Sequence, residues 1–153
     1  MIRSSTKEGF TLVEIMIVVS IIALLTTIAV PAFLKYQRDT QDALYMSQLR
    51  IAKDAFKCYY IKHGAYPPDV WHGVQPPEIV PYLPNLNWSN ATPIGGLWDW
   101  DEDNFDVVCG LSIRLPDRTD EEMKRIDEII DDGDLDTGIF QKKKQRYMYI
   151  IEK

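Results

Sequence analysis

The residues best suited to chemistry in this chain are carboxylates, and they concentrate in three places. Asp132, Asp134 and Asp136 alternate within Asp131-Asp132-Gly133-Asp134-Leu135-Asp136. Such spacing can direct several oxygens at one hard cation such as calcium. The EF-hand pattern nevertheless fails, because Thr137 stands where the turn glycine belongs and Lys143 where the bidentate glutamate belongs. A solvated acidic loop after a helix is the competing reading, since Asp and Gly favour turns. The second cluster is Trp98-Asp99-Trp100-Asp101-Glu102-Asp103-Asn104. Its tryptophans either form a binding surface or fill a small core, and a domain with little area to bury favours the core.

The third carboxylate is isolated. Glu14 lies in an apolar stretch beginning at Phe10, where an acid reaching the bilayer centre costs on the order of 2.5–3.5 kcal/mol. Acids there usually have a partner. A cut after Gly9 would create one, because the new amine of Phe10 then sits four residues away. Alternatively, Glu14 marks a helix start, where acids are favoured.

Other reactive types form no constellation. His63 and His72 lie in a loop-rich part with no nucleophile at a telling spacing, and no glycine-rich phosphate loop or serine elbow appears. An enzyme is therefore not expected. Cys58 and Cys109 lack the spacing of a zinc site. Outside the cytoplasm they can form a disulfide or remain two buried thiols. Lys142-Lys143-Lys144-Gln145-Arg146 is a short basic patch in a chain of net charge −6. A hairpin loop or a subunit contact explains it better than nucleic-acid binding.

These groups are positioned by an unusual order of segments. Residues 1–9 are short and polar, and the apolar run follows them. A secretory signal has the reverse arrangement, with its apolar stretch inside the removed part. Ile15 to Leu34 gives 20 residues without a charge, enough for a helix of about 20 residues to span a bilayer. The helical pattern then continues through Tyr45, Leu49, Ala52, Phe56 and Tyr59, at spacings of three and four. Gly64 ends it, with Pro67-Pro68 beyond. One helix from Phe10 to about Lys62 is expected, with Pro31 kinking it.

Seven prolines between residues 65 and 97 predict loops there. Val107, Cys109, Leu111, Ile113 and Leu115 alternate as a half-buried strand. Thr119 and Glu122 form a capping-box pattern before Met123, Ile126 and Ile130, in a short helix ending near Gly133. Tyr147 to Ile151 reads as a final strand. The fold class is α+β, with a long amino-terminal helix packed on a small antiparallel sheet. Its expected segments are a leader (1–9), a membrane-spanning half-helix (10–34), an amphipathic half-helix (35–63) and a head (64–153).

The run from Lys7 to Phe33, KEGFTLVEIMIVVSIIALLTTIAVPAF, resembles the amino-terminal signature of type IV pilins and type II secretion pseudopilins. Gly9, Phe10, Thr11-Leu12-Val13, Glu14 and Pro31 carry the resemblance. It implies that a prepilin peptidase cuts after Gly9 and methylates Phe10, and that Glu14 docks a neighbouring subunit. It further implies one pass through the inner membrane, with the leader in the cytoplasm and the head in the periplasm. Partners would be related pilin subunits and an inner-membrane assembly platform. The Gly64-Ala65-Tyr66-Pro67 corner resembles that of major pseudopilins, and no cysteine pair lies near the carboxyl terminus. A subunit of a type II secretion pseudopilus is the leading expectation. The alternatives are a type IV pilin or minor pilin for adhesion, motility or DNA uptake, and an anchored binding protein that never polymerises.

Overall fold

The computed structural model describes residues 9–153. Within these the elements follow as α1 (Leu12–His63), β1 (Leu97–Asn104), β2 (Val107–Arg114), α2 (Asp120–Ile130), β3 (Phe140–Lys143) and β4 (Arg146–Glu152). Two compact units result, one through Arg38 and one spanning Asp39–Lys153.

In the first unit α1 is long and apolar enough to cross a membrane, and none of that apolar stretch is buried within the chain. The Ser20 hydroxyl donates to the Met16 carbonyl at 2.7 Å, and Thr27 to the Ala23 carbonyl at 2.8 Å. Thr26 divides its donor between the Ile22 and Ala23 carbonyls. Hydroxyls bonded one turn back need no water, which suits them to hydrocarbon surroundings. The helix continues through Pro31.

In the second unit the same helix turns amphipathic. Tyr45, Leu49, Ala52, Ala55 and Phe56 are its buried face. Gly64 stops it at a φ of +75°, a conformation that costs glycine little, and its N–H caps the Tyr60 carbonyl at 2.8 Å.

The four strands form one antiparallel sheet in the order β1-β2-β4-β3. Trp98 and Trp100 of β1 face the same side as Ile113 and Leu111, their register partners on β2. Phe56 stacks on Trp100 with centroids 3.9 Å apart, and Tyr45 on Trp98 at 5.4 Å. Trp100 Nε1 donates to the Pro67 carbonyl at 2.9 Å, pinning the loop that leaves α1. Ile79, Leu83, Trp88 and Ile94 come from the proline-rich segment and complete the core. The tryptophans flanking Asp99 are thus core residues, as area scarcity predicts.

Two expectations change, and one run with no predicted element acquires one. The strand predicted to include Leu115 ends at Arg114, because Leu115 takes a φ of +53° and turns out to solvent. The acidic run at residues 98–104 lies in a strand, β1. Cys58 and Cys109 are both free thiols. Cys58 sits on the exposed side of α1, whereas Cys109 points into the core from β2, so the helix directs the two sulfurs apart.

Candidate functional site

Three groupings bear on function. The first is the amino-terminal block, of which residues 1–8 of the expected leader lie outside the described residues. Gly9 is exposed and its Cα has open space around it. Phe10 is 86 % exposed, so a peptidase meets no obstruction from the described residues. The helix begins two residues later. Thr11 N and Thr11 Oγ1 both donate to Glu14 Oε2 at 2.8 Å, and Glu14 N donates back to Thr11 Oγ1 at 3.2 Å. This reciprocal arrangement is a capping box, with Glu14 at its third helical position. The Thr-x-x-Glu spacing is readable in the sequence, and the capping role of Thr11 is an addition from the structure. Glu14 therefore organises the helix start and remains an exposed acid one helical turn from the expected cut after Gly9.

The second grouping lies on the far side of the sheet from the core. Asp99 and Asp101, two apart on β1, point together towards Arg146 of β4. Arg146 lies 2.8 Å from Asp99 and 2.5 Å from Asp101, and Ser112 Oγ donates to Asp101 at 2.6 Å. Burial pushes the Asp99 carboxyl up to about 7; Asp101 beside it adds to the rise and Arg146 offsets part of it. Both Asp99 and Asp101 are almost fully buried. One cation shared by two hidden carboxylates fixes strands together; it offers no opening to a substrate.

The third grouping follows α2, whose capping box closes as expected through Thr119 and Glu122. Among the predicted metal residues, Asp132 Oδ1 accepts from Asp134 N at 2.9 Å, and Asp134 Oδ1 accepts from Asp136 N at 3.1 Å. These local turns engage the Asp132 and Asp134 carboxylates with backbone. The carboxylates that converge are Asp132 with Asp131 and Asp127, not with Asp134 and Asp136. Asp127 was invisible as a candidate because it sits inside an amphipathic helix. Its one signal is position, four residues after Met123 on the apolar stripe.

The basic run becomes the β3–β4 hairpin, as its composition suggested. Lys142 pairs with Asp120 of α2, which also accepts from the Tyr147 hydroxyl. His63 contacts the Tyr82 hydroxyl and His72 the Arg114 guanidinium.

Comparison with known proteins follows the amino-terminal block. Residues 4–30 match the Prokaryotic N-terminal methylation motif. The chain is 35% identical over 66 residues to the type IV major pilin protein PilE of Neisseria gonorrhoeae, covering 43% of this chain and 40% of that protein. It is 34% identical over 64 residues to a fimbrial protein of Neisseria meningitidis serogroup B, covering 42% and 38%. To the type IV major pilin protein PilA of Myxococcus xanthus it is 38% identical over 60 residues, covering 39% and 27%. The chain thus spans about two fifths or less of the length of these relatives. No solved structure matches it significantly. With the methylation motif at its amino terminus, a long helix leading into a small antiparallel head, and type IV pilins among its relatives, the chain is similar to type IV pilins over its amino-terminal part and pilin-like in its architecture.

Proposed function

We propose that the chain is a structural subunit of a helical filament, held in the inner membrane before assembly with its head on the periplasmic side. The observation that carries this reading is the bare apolar half of α1. Leu12, Val13, Met16, Leu24, Leu25 and Ile28 are all more than 60 % exposed. Apolar area left in water costs about 25 cal/mol per Å², so such a stripe needs lipid or neighbouring helices around it. A membrane covers it first and a bundle of like helices covers it afterwards. Cleavage after Gly9 by a prepilin peptidase, with methylation of Phe10, releases the subunit for assembly on a membrane platform.

For the finer assignment we propose a type II secretion pseudopilus, supported by the Gly64-Ala65-Tyr66-Pro67 corner and two unpaired cysteines. A type IV pilus is the second reading, favoured by relatives that are type IV major pilins and fimbrial proteins. Removing the protein from its host separates them. Loss of extracellular enzymes with surface pili retained supports the pseudopilus, and loss of surface pili supports the pilus. If mild shearing and centrifugation of an overexpressing host yield only membrane-bound monomer, the filament reading itself fails.

A further inference from the structure

Trp88, Trp98 and Trp100 are buried, whereas Trp71 is 75 % exposed. Its ring is nonetheless held in place. The Trp71 centroid lies 4.8 Å from that of His72, whose Nδ1 stands 3.4 Å from Arg114 Nη1. Two residues on, the Gly73 amide donates to the Trp98 carbonyl at 2.7 Å. These ties fix the indole against β1, the outer strand of the sheet. A single exposed apolar residue is ordinary. A tryptophan presented on a fixed segment is more than that, because it offers large apolar area at little cost in side-chain entropy and is enriched where interfaces are anchored.

A groove of about 200 Å³ opens elsewhere on the same head, between α1, α2 and β4. Leu49, Ile130 and Tyr149 give it apolar walls, and Ile129 adds a side chain that is 70 % exposed. A water takes up about 30 Å³, so the groove has room for a large side chain. Arg50 and Lys53 also line it. Lys53 faces Asp54 at 3.3 Å, but Arg50 enters no ion pair among the described residues. Asp69, exposed and two residues before Trp71, enters none either. Trp71 does not reach the groove of its own head: its segment is bonded to β1, and β2 lies between that strand and the β4 that carries Tyr149.

We infer that Trp71 seats in the groove of Leu49, Ile129 and Tyr149 on a second copy of this chain, with Asp69 paired to that copy's Arg50. The inference rests on the filament reading and says which surfaces of two heads meet. The fit is one of shape and of charge: an apolar knob beside a free acid meets an apolar groove beside a free cation, and the charge pair sets the register. Because the two surfaces differ, the contact is heterologous. Each head gives its tryptophan to one neighbour and its groove to another, a pattern that propagates as a helix wherever the rotation per step does not close a ring.

The experiment compares detergent-solubilised monomer with filaments sheared from an overexpressing host, using iodide quenching of tryptophan fluorescence. Iodide is charged and does not reach buried rings, so quenching of the monomer should come from Trp71 and disappear in Trp71→Phe. In filaments of the parent chain the quenching should be largely lost. Ile129→Asp, at an exposed position, should restore it in the filaments that still form. Asp69→Lys and Arg50→Glu should each lower filament yield, and the two together should recover it. Parent filaments in which Trp71 remains quenchable overturn this inference alone, as does shielding that Ile129→Asp leaves unchanged. Where Ile129→Asp yields no filaments, the charge pair decides, and failure of the double variant to recover yield overturns the contact. Shielding already present in monomer reconstituted into phosphatidylethanolamine–phosphatidylglycerol vesicles would assign Trp71 to the membrane surface instead. Absence of filaments from the parent itself would end the filament reading and this contact with it.

Discussion

Glu14 Oε2 accepts two hydrogen bonds from Thr11, one from its backbone amide and one from its hydroxyl. Glu14 therefore has a local task that needs no second subunit, and the two roles can be separated by chemistry. Glutamine also serves at the third position of a capping box but carries no charge. Glu14→Gln should keep the helix start and membrane insertion, yet reduce filament yield severely if pairing with the Phe10 amine drives docking. Thr11→Ala should weaken the cap while leaving assembly near normal. Filaments sheared from cells expressing each variant provide the measurement. Normal assembly of Glu14→Gln would show that the carboxylate's charge is not what docks subunits.

Processing gives a covalent test. The amino-terminal peptide of membrane-extracted protein should begin at Phe10 and carry a methylated amine. Gly9→Val should leave the leader attached, because a branched side chain replaces the one residue with nothing beyond its Cα. Mass spectrometry of that peptide decides the matter; a cut anywhere beyond Leu34 would remove the anchor and defeat the assignment.

Within the head, Phe56 stacks on Trp100 at the centre of the core. Phe56→Ala should destabilise the protein by about 3–5 kcal/mol, the range for a large aromatic deleted from a packed interior. Chemical unfolding of the detergent-solubilised chain, followed by tryptophan fluorescence, checks this. A loss below about 1 kcal/mol would place Phe56 in a site that collapses freely.

Two acids make stability depend on pH in an unusual direction. Burial raises Asp99 to about 7 and Asp127 to about 6, from an ordinary value of 3.8. A raised acid binds its proton more tightly when folded, so stability falls as pH climbs from about 4 to about 7. Asp120 and Asp132 are lowered, by Lys142 and by the Asp134 amide respectively, and their contribution disappears only in stronger acid. The melting temperature should therefore fall between pH 5 and pH 7.5. Asp99→Asn should flatten that slope. A melting temperature that rises across the interval would contradict the assignment of both protons.

Legibility in the sequence depended on whether the partners were close along the chain. Helix α1, helix α2 with its Thr119 cap, and the alternation of Cys109, Leu111 and Ile113 are local patterns and were readable. Strand β1 was hidden although Trp98-Asp99-Trp100-Asp101 has a strict period of two. Its polar face looked solvated because the cation that satisfies it, Arg146, lies 45 residues from Asp101. Strand β3 was masked by the same logic, since Gln141-Lys142-Lys143 reads as a basic turn until Asp120 meets Lys142. In the acidic cluster after α2, Asp132 was legible and Asp127 was not. Nothing in an amphipathic helix announces which acid will be folded inward.

The strand order has a consequence for biogenesis. Strand β4 is the last of the four to be synthesised, yet it lies between β2 and β3 and brings Arg146 to Asp99 and Asp101. Until it arrives, β3 has no neighbour in the sheet and the two carboxylates of β1 lack the cation that pairs with both of them. A nascent chain can therefore insert its anchor long before its head is able to close. On the proposed topology the head crosses the membrane as an unfolded polymer and snaps shut only after release, and a ribosome stalled before Arg146 would present translocation machinery and proteases with an anchored, permanently open chain.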